Sequence, residues 1–102
     1  MAKTKSLSCA SLLKVLSDET RLQVVRILME GPQHVGEIND QLKIEQSLLS
    51  HHLGLLRKAG LVVAERDGKA VLYRLSPEAE LRRAGSTLNL GCCQLSFERE
   101  KA

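Results

Sequence analysis

Aromatic side chains are almost absent from this chain, which has one tyrosine, one phenylalanine and no tryptophan among 102 residues. Modules that bind single-stranded nucleic acids stack bases on aromatic platforms, so this composition argues against that class of protein. Long apolar runs are also missing, because no stretch approaches the roughly 18 residues needed to span a bilayer. We therefore expect no membrane partner.

Cysteines are few, and nothing in the sequence resembles an export signal. The basic residues 1–5 are followed by no long apolar segment and no cleavage site, so we expect no signal peptide. Three cysteines in such a chain predict reduced thiols used in ligand or redox chemistry, rather than a structural disulfide framework. The expected compartment is the cytoplasm.

The hydrophobic residues, 43% of the chain, are mostly Leu, Val and Ile. This content and length predict one small domain over residues 1–102, with an aliphatic core suited to helices. A domain of this size often gains stability by dimerising. The formal charge of +3 is modest, but it favours an acidic partner if the basic residues share one face.

Three helices are predicted in the first half of the chain. The first covers roughly residues 8–16, and Asp18 is typical of an N-cap for a second helix over residues 19–30, which Gly31-Pro32 closes. Val24, Ile27 and Leu28 form the inner stripe of this second helix. A short third helix is expected over residues 35–42.

The fourth predicted helix starts at Gln46, after a tight turn over residues 43–45, and Gly60 ends it. At 100° per residue its apolar residues share one arc: Leu48, Leu49, Leu53, Leu55, Leu56 and Ala59. The opposite arc contains no carboxylate and carries groups that bind base edges and phosphates: Gln46, Ser47, Ser50, His51, Gly54, Arg57 and Lys58. We interpret this helix as the recognition helix of a helix-turn-helix.

The three histidines receive different interpretations. His51 lies on the polar arc and is predicted to contact a phosphate or a base. His52 projects into the leucine arc, which favours a partly buried, hydrogen-bonded core residue over a metal ligand. His34 precedes the third helix, and we assign it no role.

A β-hairpin is predicted after the recognition helix. Two β-rich runs, residues 61–66 and 70–75, flank Asp67-Gly68, a strong signal for a tight hairpin turn. Arg66, Lys69 and Arg74 make this hairpin a basic wing. The predicted fold is mainly α with a small β-hairpin, a dimeric winged helix-turn-helix.

A last helix is expected to begin at Ser76-Pro77 and to end near Gly91, just before Cys92-Cys93. Leu81, Ala84 and Leu88 give it a thin apolar seam that suits close packing against a partner chain. With Leu12 and Leu13 of the first helix, this seam predicts a homodimer that matches a palindromic operator in double-stranded DNA. Residues from about 97 to 102 are predicted to be a frayed tail.

Three segments of the chain resemble the ArsR/SmtB family of bacterial winged-helix repressors. They are LSDETRL at residues 16–22, SHHLGLLRKAGLV at residues 50–62, and Gly68-Lys69 leading into residues 73–76. The resemblance covers roughly residues 12–77. It implies a dimer built from the first and last helices, and repression that is relieved by a metal, metalloid or redox signal.

The chain departs from this family at its usual sensor sites. Arsenical and cadmium sensors of the family often carry a Cys-Val-Cys box before the turn, where this chain has His34-Val35-Gly36-Glu37. Zinc sensors use Asp, His and Glu ligands on the last helix, and this chain has no histidine there. An inorganic inducer therefore has to bind Cys9, Cys92 and Cys93.

These three cysteines favour a soft, thiophilic inducer. Thiolates select soft ions, and trivalent arsenic takes three sulfurs in a pyramid, whereas tetrahedral zinc needs four ligands. We therefore expect arsenite or antimonite as the inducer. Since the first and last helices form the dimer layer in the resembled family, Cys9 can approach Cys92-Cys93 of either chain.

Other functions stay open at this stage. In a thiol-redox or reactive-sulfur sensor of the same fold, Cys9 would pair with Cys92 or Cys93, because two adjacent cysteines bridge only with strain. A winged helix can also be a protein-interaction module that binds no DNA. An enzyme is not expected, because the sequence has no phosphate-binding loop, zinc-hydrolase motif or deaminase signature.

Overall fold

The computed structural model describes residues 8–97. Its first two helices are α1 (Cys9–Leu16) and α2 (Glu19–Met29). Ser8 caps α1, and the Asp18 carboxylate accepts a 3.0 Å hydrogen bond from the Arg21 backbone N–H at the start of α2. The predicted positions of both helices are confirmed to within about one residue. No helix within residues 8–97 has the length and apolar character that crossing a membrane requires.

The helix-turn-helix consists of α3 (Val35–Leu42) and α4 (Gln46–Lys58), as predicted. The turn between them places Lys43 in the left-handed region at φ 56°, which a lysine adopts only at a cost in free energy. The Asn39 side chain accepts a 3.1 Å hydrogen bond from the Ile44 N–H and so supports the turn. Gly60, at φ 80°, ends the α4 segment, because this backbone conformation favours glycine.

The wing is a hairpin of β2 (Val62–Asp67) and β3 (Ala70–Leu75), and a short strand, β1 (Gln33–His34), pairs with the other edge of β3. Asp67 pairs with Ala70, so the loop is Gly68-Lys69, one residue later than the predicted Asp67-Gly68. Gly68 supplies the positive φ of 66° that this loop requires. The sheet order β1-β3-β2 holds the wing against the start of α3.

The predicted last helix is wrong beyond its first turn. Ser76 accepts a hydrogen bond from the Ala79 N–H as expected, but α5 covers only Pro77–Leu81. A second antiparallel sheet follows, with β4 (Arg83–Ala84), β5 (Thr87–Asn89) and β6 (Gln94–Ser96) in sequence order. Gly85 adopts φ 63° in the β4–β5 turn, which a continuous helix would not allow.

This second sheet belongs to the core of the protomer. Leu88 is fully buried, so it cannot lie in a dimer seam as the sequence suggested, whereas Leu81 is 86% exposed. The Arg83 guanidinium donates a 2.6 Å hydrogen bond to the Met29 carbonyl and joins the sheet to the end of α2.

Phe97 is the first residue of the predicted frayed tail and the last residue that the structure describes. Phe97 is half-buried, its N–H donates a 2.9 Å hydrogen bond to the Ser86 carbonyl, and it lines a surface groove with Leu16 and Leu22. The Phe97 side chain also packs against the hydrophobic core. The rest of the predicted tail, residues 98–102, lies outside the described residues.

The core lies between α2, α4 and the wing. The predicted inner stripe of α2 is buried, and so are Leu49, Leu53 and Leu56 of α4. Leu48 departs from the predicted apolar arc, since 44% of it is exposed.

Candidate functional site

The outer face of α4 is exposed and free of acidic side chains. The predicted DNA contacts on this helix are all exposed: Gln46, Ser47, Ser50, His51, Arg57 and Lys58. A shallow groove along this face is lined by Ser50, His51, Gly54, Leu55, Arg57 and Lys58. The N–H groups at the α4 N-terminus add a partial positive charge that favours phosphate. We call this face the recognition surface, and its contacts with DNA remain a prediction.

The wing presents its three basic residues differently. Arg66 and Lys69 are exposed near the hairpin loop. Arg74 instead pairs with Glu65 on the neighbouring strand, with 2.6 Å between its Nη2 and Glu65 Oε2. Since this carboxylate offsets the Arg74 charge, Arg66 and Lys69 are the stronger candidates for phosphate contacts.

His34, which the sequence left without a role, connects the wing to α3. Its Nε2 lies 2.7 Å from Asp67 Oδ2, and its Nδ1 lies 3.2 Å from Glu37 Oε1. The hydrogen bond to Asp67, supported by the one to Glu37, raises the pKa of His34 above its ordinary value. The three-residue spacing from His34 to Glu37 was readable as a capping pattern, but Asp67 approaches only through the β1–β3 pairing.

His52 is a buried, hydrogen-bonded residue, as predicted. Its Nδ1 lies 3.0 Å from an Arg21 guanidinium nitrogen. Because a guanidinium only donates, this contact is a hydrogen bond in which His52 Nδ1 is the acceptor. Arg21 also donates to the Val15 carbonyl at 2.6 Å, so it connects α1, α2 and α4. The backbone N–H of Arg21, more than the nearby His52, lowers the pKa of Asp18.

The three cysteines meet within a single protomer. Cys9 is the first residue of α1, and Cys92 and Cys93 lie in the β5–β6 loop, where the Leu90 N–H donates to the Cys93 carbonyl at 2.8 Å. All three sulfur atoms lie within 4.8 Å of one another. We call them the thiol cluster. Whether Cys9 joins the pair within or across the dimer was open, and this geometry needs only one chain.

Two of these sulfurs are joined, which departs from the expectation of three reduced thiols. The structure contains a Cys9–Cys92 disulfide with a Cα–Cα distance of 5.9 Å, inside the usual range of about 4.4–6.8 Å. Cys93 is a half-buried free cysteine whose sulfur lies 3.9 Å from that of Cys92. The disulfide joins the start of α1 to the β5–β6 loop. The cluster can therefore exist as a disulfide plus thiol or, once reduced, as three thiols.

The described residues thus combine a helix-turn-helix, a basic wing and a separate thiol cluster. This combination defines a winged-helix protein with a sensor-like site outside its recognition surface. The site lies on α1 and the second sheet rather than on α4 or the wing.

Comparisons with known proteins agree with this class. The sequence pattern of the family described as "Bacterial regulatory protein, arsR family" matches residues 18–63. The chain is 39% identical over 85 residues to the biofilm growth-associated repressor of Xylella fastidiosa, an alignment that covers 83% of this chain and 75% of that protein. The crystal structure of the transcriptional repressor BigR from Xylella fastidiosa is 45% identical, with a TM-score of 0.64, and the match covers 68% of this chain and 70% of that chain.

A solution structure extends the comparison. It is the homodimeric winged helix-turn-helix DNA-binding domain Mb0332 of Mycobacterium bovis, 32% identical with a TM-score of 0.63, and the match covers 68% of this chain and 64% of that chain. The protein therefore belongs to the arsR family of bacterial regulatory proteins. This membership confirms the resemblance seen in the sequence and the expectation that the chain is not an enzyme.

Proposed function

We propose that this transcriptional repressor acts as a homodimer on a palindromic operator, and that arsenite or antimonite bound to the thiol cluster releases it. The observation that carries the proposal is that three cysteine sulfurs lie within 4.8 Å of one another in one protomer. Reduction of the Cys9–Cys92 disulfide frees all three as ligands. Members of the family regulate transcription, and this chain works in the cytoplasm, where bacterial DNA lies.

The DNA-binding part rests on the recognition surface and the wing. A 13-residue helix with an exposed, carboxylate-free face suits the major groove, and Arg66 and Lys69 suit the flanking phosphates. A winged-helix interaction module would not need this separation of base-reading and phosphate-binding groups.

Dimerisation is supported by the homodimeric relative and by an exposed leucine on α1. Leu13 is 46% exposed, although leucine is usually buried. A two-fold protein presents two recognition helices about one turn of DNA apart, which suits a palindromic operator. The dimer seam predicted along the last helix does not form, so α1 remains as the candidate contact.

Arsenite or antimonite is supported by the number and kind of ligands. Thiolates are soft ligands, and three of them match the pyramidal coordination of trivalent arsenic. Structural zinc needs four ligands, and the described residues offer only these three sulfurs in the cluster. The inducer acts by favouring a dimer geometry in which the recognition helices no longer fit successive major grooves.

Redox sensing is the second candidate, and the Cys9–Cys92 disulfide specifically favours it. In that case an oxidant such as peroxide takes two electrons and two protons from the thiols of Cys9 and Cys92, and the disulfide bond forms between their sulfurs. The released state is then the disulfide rather than the metalloid complex. Both candidates use the same residues and differ in the inducer.

The test is operator release, measured in parallel with arsenite, zinc, copper(I), peroxide and persulfide. The probe is a DNA duplex selected by the reduced protein from a random library, followed by fluorescence anisotropy. Arsenite should lower the affinity of the reduced protein by about 5- to 150-fold, which is the usual range of allosteric coupling. X-ray absorption of the arsenite complex should show three sulfur neighbours.

Serine variants identify the ligands. Cys92→Ser and Cys93→Ser should keep DNA affinity but lose release by arsenite, because an alcohol is a poor soft-metal ligand. A normal response of Cys9→Ser would reduce the site to the adjacent pair. Release by peroxide or persulfide with no effect of arsenite would establish the redox alternative. If the protein selects no DNA at all, the remaining interpretation is a winged-helix protein-interaction module.

A further inference from the structure

Leu48 occupies an unexpected place on α4. It is the third residue of the helix and is 44% exposed, although Leu49 and Leu53 beside it are almost completely buried. Its sequence neighbour Ser47 and its helical neighbour His51 are both exposed. Leu48 therefore borders the recognition surface instead of the core.

Helical geometry places Leu48 on the edge of that surface. At 100° per residue, it lies about 60° around the axis from His51 and about 20° from Leu55, two turns further along. Leu55 is half-exposed and lines the shallow groove beside Ser50 and His51. Leu48 and Leu55 thus form an apolar edge beside the recognition surface, and of the two only Leu55 lines the groove.

Leu48 lies near the start of α4, and this position determines which part of the DNA it can contact. In helix-turn-helix proteins the N-terminal residues of the recognition helix contact base edges in the major groove. The apolar group exposed on those edges is the C5-methyl of thymine, while the other groups there are hydrogen-bond donors and acceptors. Single exposed leucines are common on protein surfaces, but this one is continuous with the recognition surface.

We propose that Leu48 packs against a thymine methyl in each operator half-site and reads that base. The proposal rests on the proposed function, because it requires α4 to enter the major groove. A polar face alone distinguishes donors from acceptors, and Leu48 adds a contact that uracil or cytosine at the same position cannot provide.

Uracil substitution tests this contact, since uracil pairs like thymine but lacks the methyl. Each thymine of the selected duplex is replaced in symmetric pairs, and dissociation constants are measured for wild type, Leu48→Ala and His51→Ala. Burial of one carbon is worth about 0.8 kcal/mol, or about fourfold in Kd. One symmetric pair should therefore weaken wild-type binding by about 15-fold, while Leu48→Ala should change by less than about twofold.

His51→Ala is the matched control, because it removes a neighbouring side chain on the same face but leaves Leu48 in place. It should bind more weakly overall and keep the full sensitivity to uracil. Undiminished sensitivity of Leu48→Ala, or a wild type that tolerates every uracil pair, would disprove the thymine contact while leaving operator binding intact. A change in the oligomeric state of Leu48→Ala in sedimentation would show that the residue contacts protein instead. If the wild type selects no DNA, the proposed function itself fails.

Discussion

Leu88 and Leu81 provide a direct test of the C-terminal architecture. The sequence predicted both leucines on one seam of a dimer helix, seven residues apart. In the structure Leu88 is 0% exposed within the second sheet, whereas Leu81 is 86% exposed. Replacing each by alanine removes the same three carbon atoms from opposite surroundings. We expect Leu88→Ala to destabilise the protomer and Leu81→Ala to leave its free energy of unfolding nearly unchanged.

The burial of Leu88 sets the size of the effect. Three buried carbons at about 0.8 kcal/mol each give about 2.4 kcal/mol, and the residual cavity raises the loss to about 3–4 kcal/mol. For a domain of this size that corresponds to a fall in Tm of roughly 12–30 °C. The exposed Leu81 should change the free energy of unfolding by no more than about 0.5 kcal/mol.

Urea denaturation followed by circular dichroism measures both variants, at several protein concentrations because dimerisation adds apparent stability by mass action. Sedimentation then reports dimer formation separately. If Leu88→Ala mainly dissociates the dimer, and its unfolding midpoint matches that of Leu81→Ala, the second sheet is wrong and the continuous helix is right.

Three further predictions concern charge and backbone conformation. Contact with Asp67, and secondarily with Glu37, raises the pKa of His34, so its stabilising effect is complete below its ordinary pKa of 6.5 and is lost as pH rises through the raised value. Urea midpoints should fall over that range in wild type but not in His34→Ala. Asp18→Ala should cost about 0.5–2 kcal/mol at neutral pH by removing an N-cap. Because the pKa of Asp18 is lowered in the fold, wild type should lose this advantage as pH falls below about 3.8 and through the lowered value, which acid titration of both proteins measures. Lys43→Gly should stabilise the protein by about 0.5–1 kcal/mol, because φ 56° favours glycine; an equal or lower urea midpoint would contradict this.

The first four helices were predictable because their signals are local. Asp18 marks the start of α2 by its side chain, and Gly60 ends the α4 segment by its backbone conformation. Ser76-Pro77 correctly predicted the start of α5 but not its length. The sequence did contain a signal for a strand, because Leu88, Asn89 and Leu90 alternate between apolar and polar. In the structure both leucines are buried and Asn89 is exposed. This alternation lies between Gly85 and Gly91, and the segment folds as a strand despite the helical spacing of Leu81, Ala84 and Leu88.

The candidate site was only partly readable from sequence. Residue types identified the three cysteines, but the approach of Cys9 to Cys92 depends on how α1 packs against the second sheet. The contact between His34 and Asp67 has the same character, because it joins residues 33 positions apart through strand pairing. Such contacts depend on tertiary structure, which a single sequence specifies only indirectly.

The Cys9–Cys92 disulfide spans 83 positions and encloses the wing loop. Trypsin cleaves after exposed lysines, and Lys69 lies in this loop. Exposed loop tips are preferred sites of proteolysis. A single cut there separates a fragment with Cys9 from a fragment with Cys92, yet the disulfide keeps the two together. On a denaturing gel the nicked, oxidised protein migrates as one band, and reductant resolves it into two. A brief digestion therefore reports the oxidation state of the thiol cluster without any spectroscopic probe.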